Sequence, residues 1–184
     1  MKELSLNVLD ITMNSVKAGA SLIEILIDET DEMLKIVIRD NGCGMTDDTV
    51  KKLADPFYTT RTTRKVGMGV PLLTLAAEQT GGYVNIVSDT VEEAPETHGT
   101  TVTAVFHKTH WDYTPLGDMI PTVVTLIQGS PDIDFVFRHV QPGCTVALET
   151  TALREVLGGD VSLGTFEVLQ WIEAYLQEQY AASN

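Results

Sequence analysis

Asp40-Asn41-Gly42-Cys43-Gly44-Met45 closes the strand-like run LKIVIRD, so an acid stands where a strand stops and two glycines let the backbone bend back. Leu34, Ile36 and Ile38 alternate through that run, which places Asp40 on the same inward face. An inward carboxylate needs a partner, because an unpaired buried charge costs several kcal/mol or more. Two readings follow: the acid caps a loop, or it waits for a donor such as an exocyclic amine. The pattern D-x-G-x-G alone is weak, and it gains weight from three pieces in order around it. Asp10 with Asn14 comes before, Gly67 with Gly69 after, and HGTTV at 98 to 102 later still.

Upstream, residues 3 to 19 carry a helical period. Leu6, Leu9, Met13 and Val16 form an apolar stripe, expected to face the core, beside a polar stripe of Asn7, Asp10, Asn14 and Lys17. Asp10 and Asn14, four apart, project together. In isolation that spacing is a solvated helix face; ahead of a strand pair ending in DNGCGM it reads as functional. The runs 22 to 28 and 33 to 40 are the strand pair, joined by the polar turn DETDE.

Downstream, Thr46 caps a short helix that Asp55-Pro56 ends, with Asp47 and Asp48 in its first turn. The segment PFYTTRTTRKVGMGV follows, and three of the 12 basic residues, Arg61, Arg64 and Lys65, fall within it. Gly67 and Gly69 precede a helix with Pro71 in its first turn and Gly81 as its cap, so free backbone N–H groups can hold phosphate oxygens there. Leu72 replaces the third glycine of G-x-G-x-x-G and no GK[ST] follows, which leaves a different kind of phosphate site. Strands at 83 to 88 and 100 to 107 flank an acidic loop. The expected fold is α/β (α+β), a two-layer sandwich in which helices cover one face of a mixed sheet, with a small C-terminal α/β extension.

Composition narrows the partners. The chain has 184 residues, 43% hydrophobic and 21% charged, enough for one full core. With 26 acidic against 12 basic residues its net charge is -14, which repels phosphate backbones and anionic membranes. The start has no apolar core of signal-peptide length, and no run approaches about 18 apolar residues. The expectation is a cytoplasmic protein with neither nucleic acid nor membrane as partner. Cys43 and Cys144 fit that compartment as reduced thiols, a bridge being the alternative.

Taken together, these motifs resemble the GHKL superfamily, the ATP-binding fold shared by gyrase B, histidine kinases and mismatch-repair proteins. LDITMNSVKAGAS is similar to the N box, closest to the mismatch-repair MutL wording, and DNGCGM is similar to the G1 box. PFYTTR with GMGVPLLTLAAEQTGG resembles the histidine-kinase F and G2 boxes, and HGTTVTAVF the last box. The resemblance spans residues 3 to 107 and implies ATP and Mg²⁺ as cofactors. It implies that Asp40 accepts from the adenine amine, that Gly42, Gly44 and Met45 lie along the nucleotide, and that Thr100 completes the adenine pocket. Asn14 would bind Mg²⁺ through its amide oxygen, Gly67 and Gly69 would cradle phosphates, and Arg61, Arg64 or Lys65 would act from a lid at 56 to 66. Asp10 stands where many members carry the glutamate that polarises the attacking group; it is one methylene shorter, so slow hydrolysis is expected. The chain departs from the family in having no upstream helix with an acceptor histidine and no recognisable transducer lysine.

The expected division is an ATP-binding domain at 1–110 and an extension at 111–184. In the extension PTVVTLIQG and TALREVLGG read as helices, DIDFVFRHV and CTVALET as strands, and GTFEVLQWIEAYLQEQY as an amphipathic helix. Its face of Val168, Leu169, Ile172 and Leu176 is read as core, with a dimer or partner surface anchored by Trp171, Tyr175 and Tyr180 as the alternative. His98, His107, His110 and His139 are read as standing near strand ends or in loops, and His107 and His110, with no further ligand at metal spacing, as surface histidines. Three functions compete. One is a protein kinase resembling anti-sigma-factor serine kinases, the second an ATP-driven switch that grips another protein, and the third a nucleotide sensor without turnover. All three imply a protein partner.

Overall fold

The computed structural model describes residues 3–54, 69–158 and 160–182. Among the described residues the strands form one sheet of six in the order β3-β4-β2-β1-β5-β6. They are β1 (Leu22–Glu29), β2 (Met33–Asp40), β3 (Tyr83–Asp89), β4 (Gly99–His107), β5 (Asp134–Gln141) and β6 (Cys144–Glu149). All neighbours are antiparallel except β1 and β5, so the sheet is mixed as expected. The helices are α1 (Ser5–Lys17), α2 (Asp47–Ala54), α3 (Gly69–Gln79), α4 (Met119–Gly129), α5 (Thr150–Leu157) and α6 (Phe166–Ala181).

Strict alternation decides which face is covered. Leu34, Ile36, Ile38 and Asp40 of β2 point inward beside Ile23, Ile25 and Ile27 of β1, and all seven are buried. Val102, Ala104 and Phe106 of β4 and Phe135 and Phe137 of β5 continue that face. The helix layer lies against it, supplying Val8 and Ile11 from α1, Leu73 from α3, Leu126 and Ile127 from α4, and Ile172 and Leu176 from α6. On the other face Lys35 and Arg39 are exposed, and Arg39 pairs with its cross-strand neighbour Glu24 at 3.8 Å. Residues 111–184 therefore add two strands to this sheet and two helices to this layer.

One expectation about side chains is corrected, that Leu6 faces the core. On α1 Leu9, Met13 and Val16 of the expected stripe are half-buried against the core, but Leu6 is 50% exposed, and the buried positions include Leu4, Val8, Ile11 and Ser15. The sheet and α4 cover that arc, and Ser5 accepts there from Thr122 Oγ1. His139 stands near the end of β5, where sequence put it, and it is buried there, 3% exposed, in register with Ile27.

His139 belongs to a hydrogen-bonded chain that ties the end of α6 to the sheet. Tyr180 Oη lies 2.8 Å from its Nδ1, and Nε2 lies 3.0 Å from Glu29 Oε2. Lys108 Nζ donates to Glu29 Oε1 at 2.7 Å and to the Thr30 carbonyl at 2.8 Å. Burial lowers the pKa of His139 against the pull of Glu29, and the neutral ring then donates through Nε2 and accepts from Tyr180. Burial works to raise the Glu29 pKa, but Lys108 and His139 outweigh it and hold it below the ordinary carboxylate value. Tyr180 is pushed up by burial and by Asp118, so it keeps its proton and is turned inward rather than standing as a surface anchor. No helix among the described residues is long and apolar enough to cross a membrane.

Candidate functional site

Asp40 ends β2 on the helix-facing side, 8% exposed, with both carboxylate oxygens engaged. Ser15 Oγ donates to Oδ2 at 2.5 Å, while the N–H groups of Gly42 and Thr100 donate to Oδ1 at 2.9 and 3.3 Å. An ionised carboxylate offers about four lone-pair sites, so these three bonds leave acceptor capacity for one more donor.

The turn after Asp40 is shaped by what cannot fit there. A Cβ at Gly42 would stand 2.9 Å from the Ala18 Cβ and 3.0 Å from Asp40 Oδ1, so a side chain would cover the acid. Gly44 has φ +70°, and a Cβ there would meet the Asp89 carbonyl oxygen at 1.9 Å. The turn is fastened from three sides. Cys43 N–H donates to the Ala18 carbonyl at 3.0 Å, and Val91 N–H to the Cys43 carbonyl at 3.3 Å. His98 Nδ1 lies 2.6 Å from the Gly42 carbonyl, which can only accept, so that nitrogen carries the ring proton.

Asp40, Thr100 and Ser88 form a row across β2, β4 and β3, one residue per strand in register. Met45 N–H donates to Ser88 Oγ at 2.8 Å, and Ser88 Oγ donates to the Gly99 carbonyl at 3.1 Å. With its proton so committed, Ser88 accepts from the Thr100 hydroxyl at 2.8 Å. The row is a polar floor at one end of an otherwise apolar face.

The second half of the site lies along α1. Asp10 is exposed and Asn14 half-buried, and Ser15, next to Asn14, is the residue that touches Asp40. Asp10 and Ser15 are about 7.5 Å apart along the axis at 1.5 Å per residue. A Cβ at Gly69 would stand 3.0 Å from the Asp10 Cβ and 3.8 Å from its Oδ2, so the first residue of α3 meets Asp10 directly. A helix N-terminus presents unpaired N–H groups and a partial positive charge, the surroundings a phosphate requires. The structure thus brings Asp10, Asn14, Asp40, Gly42, Gly44, Met45, Gly69 and Thr100 to one end of the sheet. Arg61, Arg64, Lys65 and Gly67 lie outside the described residues.

Two members of this network, Ser15 and Ser88, were not singled out from sequence. Ser15 follows Asn14 on α1 but was left out of both of its stripes, Ser88 shares the parity of Val84 and Ile86, and His98 opens the motif HGTTV without having been given a role of its own. Strand parity could have found Ser88; nothing local marks the bond of His98 to the Gly42 carbonyl. Cys43 and Cys144 are both free thiols. Among the described residues no group of three or more His, Cys, Asp or Glu could hold a metal ion. A magnesium ion held mainly by water and substrate phosphates needs only one or two protein ligands, and Asn14 suits that role.

Comparison with known proteins places this geometry in context. The family described as Histidine kinase-, DNA gyrase B-, and HSP90-like ATPase matches residues 1–110. Sporulation kinase B of Bacillus subtilis (strain 168) is 29% identical over 103 residues, 56% of this chain and 22% of the kinase. A probable C4-dicarboxylate sensor kinase of the same organism is 30% identical over 77 residues, 42% of this chain and 14% of that protein. The chain thus matches about a fifth or less of the length of these relatives. Among solved structures, the N-terminal domain of a DNA repair protein superposes with a TM-score of 0.52 at 19% identity, covering 81% of this chain and 53% of that one, a likeness of fold.

Proposed function

The chain belongs to the histidine kinase-, DNA gyrase B-, and HSP90-like ATPase family, and from that premise we propose that it binds Mg-ATP and transfers the terminal phosphoryl group to a hydroxyl of a protein partner, in the manner of anti-sigma-factor serine kinases. The observation that carries this reading is the Asp40 carboxylate, inward at the end of β2 and fixed by three donors with acceptor capacity left over. A donor of fixed position, such as the adenine amine, is what such an acceptor selects.

In this reading Thr100 and Ser88 close the base side of the pocket, and Gly42 keeps the acid uncovered. Asn14 holds Mg²⁺ through its amide oxygen, and the N-terminus of α3 at Gly69 receives phosphate oxygens. Arg61, Lys65 and Gly67 enter on sequence alone. Mg²⁺ would supply charge neutralisation for the phosphate oxygens there. Asp10, exposed at the mouth beside Gly69, orients the attacking hydroxyl and takes its proton as the new P–O bond forms and ADP leaves. The acidic composition, unfavourable to nucleic acid, supports a protein acceptor, and the kinase titles of the relatives support phosphoryl transfer.

A second reading, an ATP-driven switch, is favoured by one observation. β1 lies between the strand that carries Asp40 and the parallel β5, so a shift at the nucleotide end has a direct path into residues 111–184. Incubation with γ-labelled ATP and cell extract separates the two. Label on another polypeptide, absent with Asp10→Ala, is the kinase result; free phosphate alone is the switch result. Unchanged ATP affinity in Asp40→Ala by calorimetry would overturn both.

A further inference from the structure

Beyond β6, the helices α5 and α6 frame an apolar groove of about 710 Å³. Leu148, Leu153 and Val168 form its buried floor, while Val156 is 84%, Trp171 50% and Tyr175 37% exposed. Trp171 and Tyr175, four apart on α6, stack with ring centroids 4.9 Å apart and planes 11° apart. The core contact of α6 is made by its other side, where Ile172 and Leu176 are fully buried. The aromatic pair is therefore surplus to the core and forms a rigid wall open to solvent.

Charge selects the occupant. From residue 142 to the C-terminus the acids are Glu149, Glu155, Asp160, Glu167, Glu173 and Glu178, against one base, Arg154. Arg154 is already committed, donating from Nε to Asp134 Oδ1 at 2.9 Å and from Nη2 to the Ile133 carbonyl at 3.2 Å. Glu149 and Glu167 stand on the rim of the groove itself. A second copy of this chain would bring the same excess of acid, and phosphate-bearing surfaces are repelled.

Backbone geometry selects the occupant's form. β6 is an outer strand of the sheet, where an extended peptide would ordinarily pair. At Ala147 that edge is taken: its N–H donates to Gln179 Oε1 at 2.9 Å, and Gln179 Nε2 donates to its carbonyl at 3.0 Å. An incoming segment must engage through side chains. We propose that this groove docks an amphipathic helix of a partner protein, with apolar side chains at helical spacing flanked by lysine or arginine. The proposal does not depend on the nucleotide reading.

The test uses the full chain with Trp111→Phe, since Trp111 is 99% exposed and its removal leaves emission from Trp171. Three capped peptides of about 15 residues serve as probes: leucine and lysine at helical spacing, the same with glutamate for lysine, and leucine and lysine in strict alternation. The first is expected to shift Trp171 emission saturably and to bind at least tenfold tighter than the other two. Val156→Asp, on an exposed side chain, should weaken it at least tenfold even though it adds negative charge. Val87→Asp, on the exposed face of β3, should leave it unchanged. Equal binding of the alternating peptide, unchanged affinity in Val156→Asp, or a dimer by sedimentation that Val156→Asp abolishes would each overturn the proposal.

Discussion

Asp40 serves base recognition only if it can accept, so the informative change keeps its size and removes that property. Asp40→Asn is expected to lower ATP affinity about 100-fold, the order of a lost charge-assisted hydrogen bond and a misplaced N–H₂, measured by isothermal calorimetry. His139 carries a different prediction, in pH. Its folded pKa lies below the ordinary 6.5 because burial disfavours the imidazolium. The unfolded chain therefore takes up more protons than the folded one as pH falls through about 6.5, and stability declines. Glu29, held below 4.5, keeps its contribution until more acidic conditions and then loses it. Thermal melts between pH 7.5 and 5.0 should show Tm falling with acid in the wild type and a shallower slope in His139→Gln. Both residues could be placed by the same rule of alternation. Asp40 was, because it follows three aliphatic residues of equal parity. For His139 only its place near a strand end was read; its burial, which the parity of Phe135 and Phe137 would have given, was not, because the partner that satisfies it, Glu29, stands 110 positions away.

α1 shows where local pattern fails. Its inner face carries Asn7, Thr12 and Ser15 beside Leu4, Val8 and Ile11, all buried, so the stripe that meets the sheet is polar enough to look like the outer one. Ser15 is there to hold Asp40, and the needs of the site disguise the needs of the core. The consequence is measurable by denaturant unfolding. Ile11→Ala is expected to cost about 2–5 kcal/mol as a core cavity, and Leu6→Ala no more than about 0.5 kcal/mol as a surface change. Equal costs would restore Leu6 to the core-facing stripe. The strands and the other helices followed from period, although α4 starts at Met119, ahead of the expected Pro121, where the Asp118 side chain accepts from Ile120 N–H. What periodicity could not give is pairing: parallel contact between β1 and β5 joins residues over a hundred positions apart and leaves no local mark.

That pairing makes residues 111–184 part of the core that supports the nucleotide end. Ile23, Ile25 and Ile27 lie beside Phe135, Phe137 and His139, and α4 and α6 roof the same face. A chain ending at residue 110 would expose the whole edge of β1 and that apolar surface, although the family match stops there. It is expected to lack a cooperative calorimetric transition; a transition at the full-length Tm would mean the C-terminal part is separable. The Gln179 amide on the β6 edge has a consequence of another kind. A strand whose outward peptide group is already saturated offers no template for copying itself, so this end of the sheet is a stopper against fibre growth. Gln179→Ala should unstopper it, giving light scattering that rises with concentration and with incubation time while the soluble fraction still melts as before.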